Sequence, residues 1–489
     1  MSNSQLLVML CVFVPLAGSL LLPLVGKASE QGRNLLALLL ALTSLGCALG
    51  LLPVVLAGGT ETVAVGGVSL FQVDKLAVFM ANVSMLVGSI IVFYSWGYIE
   101  HYEHRNEYYF MVVLFLGAMM GLVFSRNLIF LYGFWEITAL ACWRLIGFFR
   151  EKEYVRRADK AFLITVFGAV VMLVGFIVVY AQTGTFDLKA LTGVPISDLA
   201  VGLILVGIFS KSATLPLHSW LADAGVAPSP VTALLHAAVL VKIGVYVFAR
   251  LFVATFVIGE MWHEVVPWIA AVSALVSAGA ALVATDMKRI IAYSTVSQLG
   301  FIFLGLAVDS SISVAGGLLY ILMHGLAKGG LFLCAGIVEH NTHCKDITKL
   351  GGLIKTMPIT AVAFLMCAFS VMGIPPFGGF FGKYLVITGA FATGQVALGL
   401  VYVFGSFLTI LYLFRAFTGI FLGEPGSAVA DHPAHEGSRG MVASVAVLAA
   451  LSLAGGLFVK YPAQIAQSTV QELARSSQPA AVELARSSR

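Results

Sequence analysis

From Gln5 onward, long apolar runs alternate with short polar stretches along almost the whole chain. A helix needs about 20 apolar residues to cross a bilayer, and on that ruler the pattern predicts about fourteen transmembrane helices, roughly 5–25, 34–57, 76–97, 108–124, 128–149, 161–181, 198–220, 230–256, 266–285, 290–308, 313–338, 357–390, 396–421 and 440–459. The first run has no basic residue before it and meets Lys27 only after it, the reverse of a secretory signal, so it is read as a retained helix. The fold class is therefore an all-α, polytopic membrane protein.

Two runs are interrupted. The seventh carries SATLPLHSW, with Pro216 in mid-helix, and the twelfth carries MGIPPFGGFFGK, with Pro375 and Pro376 followed by two glycines. Proline removes a helical donor and clashes with the preceding turn, and broken helices at membrane depth persist only where protein or a watery cavity satisfies the freed groups. The interruptions are five helices apart, and an odd offset reverses direction. This predicts two inverted five-helix repeats, 108–256 and 257–421, each with a broken helix at the matching place. Helices one to three (1–107) precede them, and a cytoplasmic loop, helix fourteen and a polar tail (422–489) come after. Such paired breaks point to a transporter with sites near the midplane.

Composition agrees with the pattern. The 489 residues are 60% hydrophobic and only 11% charged, against about a quarter charged in ordinary soluble domains. The net charge of +4 is too small and dispersed for nucleic-acid binding. Of the 28 Lys and Arg, fifteen fall in even-side loops, eight in odd-side loops and the tail, and five inside predicted helices. That bias puts the even side in the cytoplasm and both termini outside. The six cysteines stand singly without a C-x-x-C pair, so neither a cluster nor a zinc site is predicted. No cofactor, redox centre or catalytic site is expected in the chain. The clusters EHNTHC (Glu339–Cys344) and DHPAHE (Asp431–Glu436) lack a second ligand set, so no metal is assigned to either.

The candidate chemistry lies inside the spans, where an ionisable group costs at least about 2.5 kcal/mol and so calls for a partner or cavity. The residues are Glu136 in helix five, Lys211 in seven, His236 and Lys242 in eight, His324 and Lys328 in eleven, and Lys383 at the break in twelve. Glu136 is read as the only acid well inside a span and as the counter-ion of Lys211. Such a glutamate could instead tie two helices together, but four lysines at comparable depth favour the counter-ion role. A buried amine holds or releases its proton according to whether a carboxylate is near. His324 and Lys328, four residues apart, share a helix face and could relay a proton through one water. His236 and Lys242, six apart, lie about 120° apart around a regular helix and need several waters or a neighbouring helix. His236 could equally be a packed ring bonded to a backbone carbonyl. Arg144 is expected to snorkel to the interface, and Trp135, Trp143 and Trp220 to be packing or interface aromatics. REKEYVRRADK (150–160) reads as a cytoplasmic topology anchor, and the tail, which repeats ELARSS, as a short polar extracytoplasmic helix.

The segments SKSATLPLHSWLADAGVAPSPVTALLHAAVLVKIGVY (210–246), DMKRIIAYSTVSQLGFI (286–302), MHGLAKGGLFL (323–333) and GIPPFGGFFGKY (373–384) closely resemble the antiporter-like membrane subunits of respiratory complex I, and with them the Mrp-type cation/proton antiporters and group 4 membrane-bound hydrogenases. The likeness runs from about residue 75 to 420. It implies fourteen helices with two inverted five-helix repeats, each repeat forming half of a proton channel, with the helix-five glutamate matching Glu136 and the amine of broken helix seven matching Lys211. Lys242 and His236, His324 and Lys328, and the terminal base Lys383 match the rest of the family's line. Three departures bear on subtype: Lys383 stands where some members have glutamate, Arg144 comes after the key acid, and no long lateral helix is found beyond helix fourteen. The function expected from the likeness is proton translocation by one subunit of a multi-subunit membrane complex, driven by redox chemistry or an ion gradient in its partners. The alternatives are a Na⁺/H⁺ antiporter module of Mrp type and a non-conducting scaffold. Expected partners are other membrane subunits, including homologous antiporter-like ones, together with protons, Na⁺ on the antiporter alternative, and lipid, in a bacterial or archaeal plasma membrane.

Overall fold

The computed structural model describes residues 2–65, 67–430 and 434–487, with side chains for all of these except Val65, Ala238 and 475–487. Asp431, His432 and Pro433 of the DHPAHE cluster lie outside the described residues. Helices α1 (Asn3–Ser19) and α2 (Leu22–Ala28) form one pair bent by 50°. After α3 (Glu30–Leu56) comes a hairpin, β1 (Glu61–Val65) against β2 (Val68–Val73), and then α4 (Lys75–Tyr98), α5 (Arg105–Phe124), α6 (Leu128–Ile146) and α7 (Lys152–Thr183). A two-residue parallel pairing of β3 (Val194–Pro195) with β4 (Phe256–Val257) brackets α8 (Asp198–Lys211), α9 (Ser219–Asp223), α10 (Ser229–Ala233) and α11 (Leu240–Phe248). Beyond it run α12 (Glu260–Val283), α13 (Met287–Ala307), α14 (Ser311–Thr342), α15 (Pro358–Met372), α16 (Gly378–Ala392), α17 (Val396–Phe421), the single turn α18 (Ser427–Ala430), α19 (Arg439–Leu457) and α20 (Lys460–Ser487).

The chain is a multi-pass membrane protein. Among the described residues, eleven helices are long and apolar enough to cross a membrane, twelve with the bent pair α1/α2. The two other expected spans are the interrupted ones, whose pieces α8, α15 and α16 have only 14, 15 and 15 residues. The expected count of fourteen thus depends on how broken helices are counted.

Burial explains the layout. On α7, Leu163, Phe167, Val170, Val174 and Ile177 are exposed, whereas Ala161, Gly168, Ala169, Met172 and Gly175 are buried. The outward face carries large apolar groups and the protein-facing side is rich in small ones, as expected where lipid is the solvent and close approach drives packing. By contrast, α13 and α14 are buried on nearly every side, so they form the centre. Gly168 is what lets α7 approach α8, because a Cβ there would collide with Ser210 beside Lys211.

Both interruptions end a helix with a left-handed residue, Ala213 (φ 51°) after α8 and Gly373 (φ 82°) after α15, and each includes a cis X–Pro bond, Leu215–Pro216 or Pro375–Pro376. The structure also holds a duplication that sequence reading missed. TGTFDLKAL (183–191) and THCKDITKL (342–350) end the 32-residue helices α7 and α14 and fold alike. Thr183 and Thr342 donate to the carbonyls of Val179 and Val338 at 2.8 and 2.7 Å, and Asp187 and Asp346 each accept from the backbone two residues on. Leu128 and Met287 donate backbone bonds to Phe186 and Lys345. Every member of one junction lies 159 residues from its counterpart.

Several loop charges are not in water. Arg33, Arg250 and Lys288, counted above among the loop charges, are 2%, 3% and 1% exposed. Arg250 makes a bidentate pair with Asp74 at 2.6 and 2.8 Å. Arg144 does not simply snorkel but pairs with Glu107. The tail is no short helix: α20 is 28 residues long, and its Glu472 accepts from the backbone N–H of Lys75 at the start of α4.

Candidate functional site

The first break places an amine at the end of a helix. Lys211 is the last residue of α8 and is fully buried, and its Nζ donates to the carbonyl of Trp135 at 3.2 Å with the Trp135 ring 5.1 Å away. Trp135, assigned above to packing, therefore belongs to the site. Glu136 is adjacent but forms no direct ion pair with Lys211. Its carboxylate lies near Tyr132, one turn earlier, and Oε1 has no hydrogen-bond partner. The two groups interact through the field rather than by contact, because Lys211 reaches the backbone of α6 instead of the acid.

The centre of the site is set by α10 and α11. Helix continues from Ser229 to Val253 but contains π turns at Leu234–Ala238 and Ala249–Val253. A π turn inserts an extra residue and shifts the phase of the helix beyond it, so the 120° expected between His236 and Lys242 does not apply. Lys242 turns to α14, where its Nζ lies 2.7 Å from His324 Nδ1. His236 instead lies against the Phe332 ring, centroids 4.4 Å apart, with neither ring nitrogen partnered. The packed-histidine alternative, which required a backbone bond, does not fit.

His324 and Lys328 share a face of α14 but point to different neighbours. His324 meets Lys242, and Lys328 donates to Ser294 Oγ at 2.6 Å and to the Ile291 carbonyl at 3.0 Å on α13. Ser294 bonds Tyr412 (2.9 Å), Gln298 donates to Tyr412 (3.2 Å) and to Thr409 (3.1 Å), and Tyr320 donates to Gln298 Oε1 (2.6 Å). Lys383 Nζ ends this line, 4.5 Å from the Phe301 centroid and 5.8 Å from that of Tyr320, with no hydrogen-bond partner. Sequence reading passed over Ser294, Gln298, Tyr320, Thr409 and Tyr412. The available signal was Ser294 and Gln298, polar at i and i+4 in a buried span.

Pro216 lies in the segment between α8 and α9, and Pro375 and Pro376 lie between α15 and α16. The second break is tight: a Cβ at Gly379 would strike the Ser370 carbonyl, and the Gly379 N–H is bonded by Ser370 Oγ at 3.2 Å. In EHNTHC the side chains part, Glu339 toward Lys288 and Lys345 and His340 onto the rings of Tyr98 and His101. Glu339 stands near the end of α14, just beyond the expected span 313–338. In DHPAHE the described Glu436 accepts from Ile359 N at 2.7 Å and caps α15.

Residues 125–409 match the family described as "NADH:quinone oxidoreductase/Mrp antiporter, TM". The chain belongs to that family. Residues 68–109 further match "NADH-Ubiquinone oxidoreductase (complex I), chain 5 N-terminus". Among curated relatives, the A-type Na(+)/H(+) antiporter subunit of Alkalihalophilus pseudofirmus is 36% identical over 423 residues, 79% of this chain and 52% of that protein, and the A1-type Na(+)/H(+) antiporter subunit of Staphylococcus haemolyticus is 35% identical over 429 residues, 81% of this chain and 53% of that protein. The chain spans about half the length of these relatives. A chain in the Mrp complex of Dietzia sp. DQ12-45-1b superposes with TM-score 0.88 at 25% identity over 98% of both chains. One in respiratory complex I of Thermus thermophilus gives 0.83 at 24% identity, over 96% of this chain and 99% of that one, a likeness of fold alone. The resemblance read from four motifs thus extends to the whole fold of an Mrp/complex I family member.

Proposed function

We propose that this chain is a proton-translocating subunit of a larger membrane complex. The observation that carries the reading is the buried line of amines, with Lys242 and His324 2.7 Å apart at its centre and Ser294, Tyr412, Gln298 and Tyr320 hydrogen-bonded between Lys328 and the ring face under Lys383. Ammonium groups in an apolar interior without a salt-bridged carboxylate are costly, so four of them, Lys211, Lys242, Lys328 and Lys383, call for a function. Adjacent basic groups also repel, so a proton arriving at one lowers the affinity of the next. On this reading a proton passes Lys211, then Lys242 or His236, then His324 and Lys328, and leaves at Lys383, with Glu136 tuning the first amine and the breaks at Pro216 and at Pro375–Pro376 opening the ends. The twin junctions 159 residues apart support two inverted five-helix units.

The coupling reading favoured by the relatives is Na⁺/H⁺ exchange in an Mrp-type assembly, with homologous antiporter-like subunits as neighbours. The chain would then lie in a bacterial or archaeal plasma membrane with both termini outside. Moving one charge against 100 mV costs about 2.3 kcal/mol, and this must come from the partner subunits or an ion gradient. The test is Lys211→Ala in the whole complex reconstituted into vesicles. Loss of proton movement, with assembly intact, is expected; normal transport would refute the reading. Replacing Na⁺ by choline separates the drivers: exchange stops if Na⁺ is coupled and continues if a redox partner drives it.

A further inference from the structure

The buried line has a second acid that the path above does not use. Glu339 lies one turn before the end of α14 and is held from both sides: Lys288 Nζ is 2.5 Å from Oε2 and Lys345 Nζ is 3.0 Å from Oε1. The two lysines are not equivalent. The Lys288 side chain is 1% exposed and also donates to the Ala227 carbonyl at 3.1 Å, whereas the Lys345 side chain is 30% exposed and stands in the loop between α14 and α15. Ser229, the first residue of α10, donates to Glu339 Oε2 at 3.0 Å, and Tyr98 donates to Ser229 Oγ at 3.4 Å.

Ser229 starts a short polar series. Ser229 and Thr232 stand three residues apart on α10, with Thr232 Oγ1 donating to the Ser229 carbonyl at 2.8 Å, and His236 follows in the π turn Leu234–Ala238; all three are fully buried. His236, at the inner end, has two unpartnered ring nitrogens. A buried, unpartnered base that follows two buried hydroxyls, the first of them bonded to a half-shielded carboxylate, suits a proton feed.

We propose that Glu339 loads protons into the buried line, passing them by way of Ser229 and Thr232 to His236, with Lys345 as its displaceable counter-ion. This rests on the proton-path reading above and adds to it the entry that loads His236, with Lys211 still required for the line to turn over. With both lysines in place the carboxylate is held as an anion by two positive charges. When Lys345 swings into water, one of those charges is withdrawn and a carboxylate oxygen takes a proton from water. The new carboxyl O–H donates to Ser229 Oγ, Ser229 passes its own proton through water to the Thr232 hydroxyl, Thr232 passes its proton on, and a His236 ring nitrogen receives one. Glu339 is left an anion again and re-pairs with Lys345. The other groups that face this acid are Tyr94 and Tyr98 from α4, Tyr102 from the loop after it, and His340, itself against His101; Asp286 and Tyr154 face the lysines.

The test compares Glu339→Gln, Lys345→Met and Lys211→Ala in the whole reconstituted complex, with proton movement tracked against pH on the Lys345 side. Glu339→Gln is expected to slow proton movement about tenfold or more, Glu339→Asp to restore part of it, and Lys345→Met to move the pH profile upward, because the acid then binds protons more readily. If Glu339→Gln fails to assemble, Glu339→Gln with Lys288→Met removes both charges of the buried pair and is measured instead. Infrared spectra of the wild-type complex are expected to gain a protonated-carboxyl band on acidification that the Glu339→Gln complex lacks. An assembled Glu339→Gln complex with wild-type rate and pH profile overturns the proposal, and leaves the path reading standing if Lys211→Ala is dead in the same preparation. Normal transport by Lys211→Ala overturns both.

Discussion

Lys211 and Lys383 each stand beside a break in a helix, yet their ammonium groups have different surroundings. Lys211 ends its half-helix and finds a carbonyl, a tryptophan face and a nearby acid. Lys383 sits inside α16, the half-helix after its break, and finds the faces of Phe301 and Tyr320 with no hydrogen-bond acceptor. A cavity of about 450 Å³ lined by Lys383, Tyr384, Ser406 and Phe391 opens beside it. The same device, a broken helix with a left-handed terminus, thus presents one amine that is held and one that is poised to let go. The difference teaches that the break itself is a scaffold feature, while the partner set decides whether a proton is kept.

That contrast can be attacked in order of expected effect. Lys211→Ala is expected to cut proton movement in the assembled complex about a hundredfold, and Glu136→Gln less, since the acid acts on Lys211 through the field and not by contact; equal losses would mean that the two work as one ion pair. Lys383→Met is expected to raise the thermal stability of the purified complex by about 1–3 kcal/mol, because it removes a buried cation that lacks an acceptor. Lys211→Met, which strips a partner from the Trp135 carbonyl, should give no such gain, and a matching gain would erase the contrast. Gln298→Leu severs the link between Tyr412 and Tyr320 and is expected to slow transport about tenfold while the complex assembles normally; an unchanged rate would show that the proton bypasses that chain.

The smallest effect concerns the twin junctions. Burial alone would raise the Asp187 carboxyl, but the bidentate Arg126 guanidinium and the backbone N–H groups hold it below the usual carboxylate range. A depressed folded-state pKa means stability that is present above the ordinary carboxylate range and is lost as pH falls through the folded value. Asp187→Asn is expected to cost about 1 kcal/mol near neutral pH and to flatten the acid limb of the stability curve. Asp346→Asn, at the junction without an arginine, is expected to cost less. Equal costs, read by thermal unfolding at pH 7 and pH 4, would show that the arginine contributes nothing.

Much of this was legible in the chain. The run lengths give the spans because a helix in lipid must satisfy its own backbone, the prolines mark the breaks because they lack a donor, and each ionisable residue at depth advertises itself by its cost. Glu136, Lys211, His236, Lys242, His324, Lys328 and Lys383 were all visible on that ground. The chain of Ser294, Gln298, Tyr320, Thr409 and Tyr412 was harder to see because hydroxyls and amides in spans are common and cheap. Glu339 was hidden by its place near a polar loop, where a carboxylate looks solvated. The 159-residue repeat was hidden because only a threonine, an aspartate and a leucine survive in both copies.

By itself the sequence determined how many apolar segments there are, where two of them break and which titratable residues lie deep, since period, proline and charge act locally. Only the tertiary structure decided who meets whom. It turned Lys242 to His324 through a π turn, gave Lys211 a backbone carbonyl rather than the glutamate beside it, left Lys383 on aromatic faces and put Glu339 between two lysines. Those pairings depend on the rotational phase of each helix and on the approach of its neighbours, which are set by packing across the whole bundle and by no single stretch of chain.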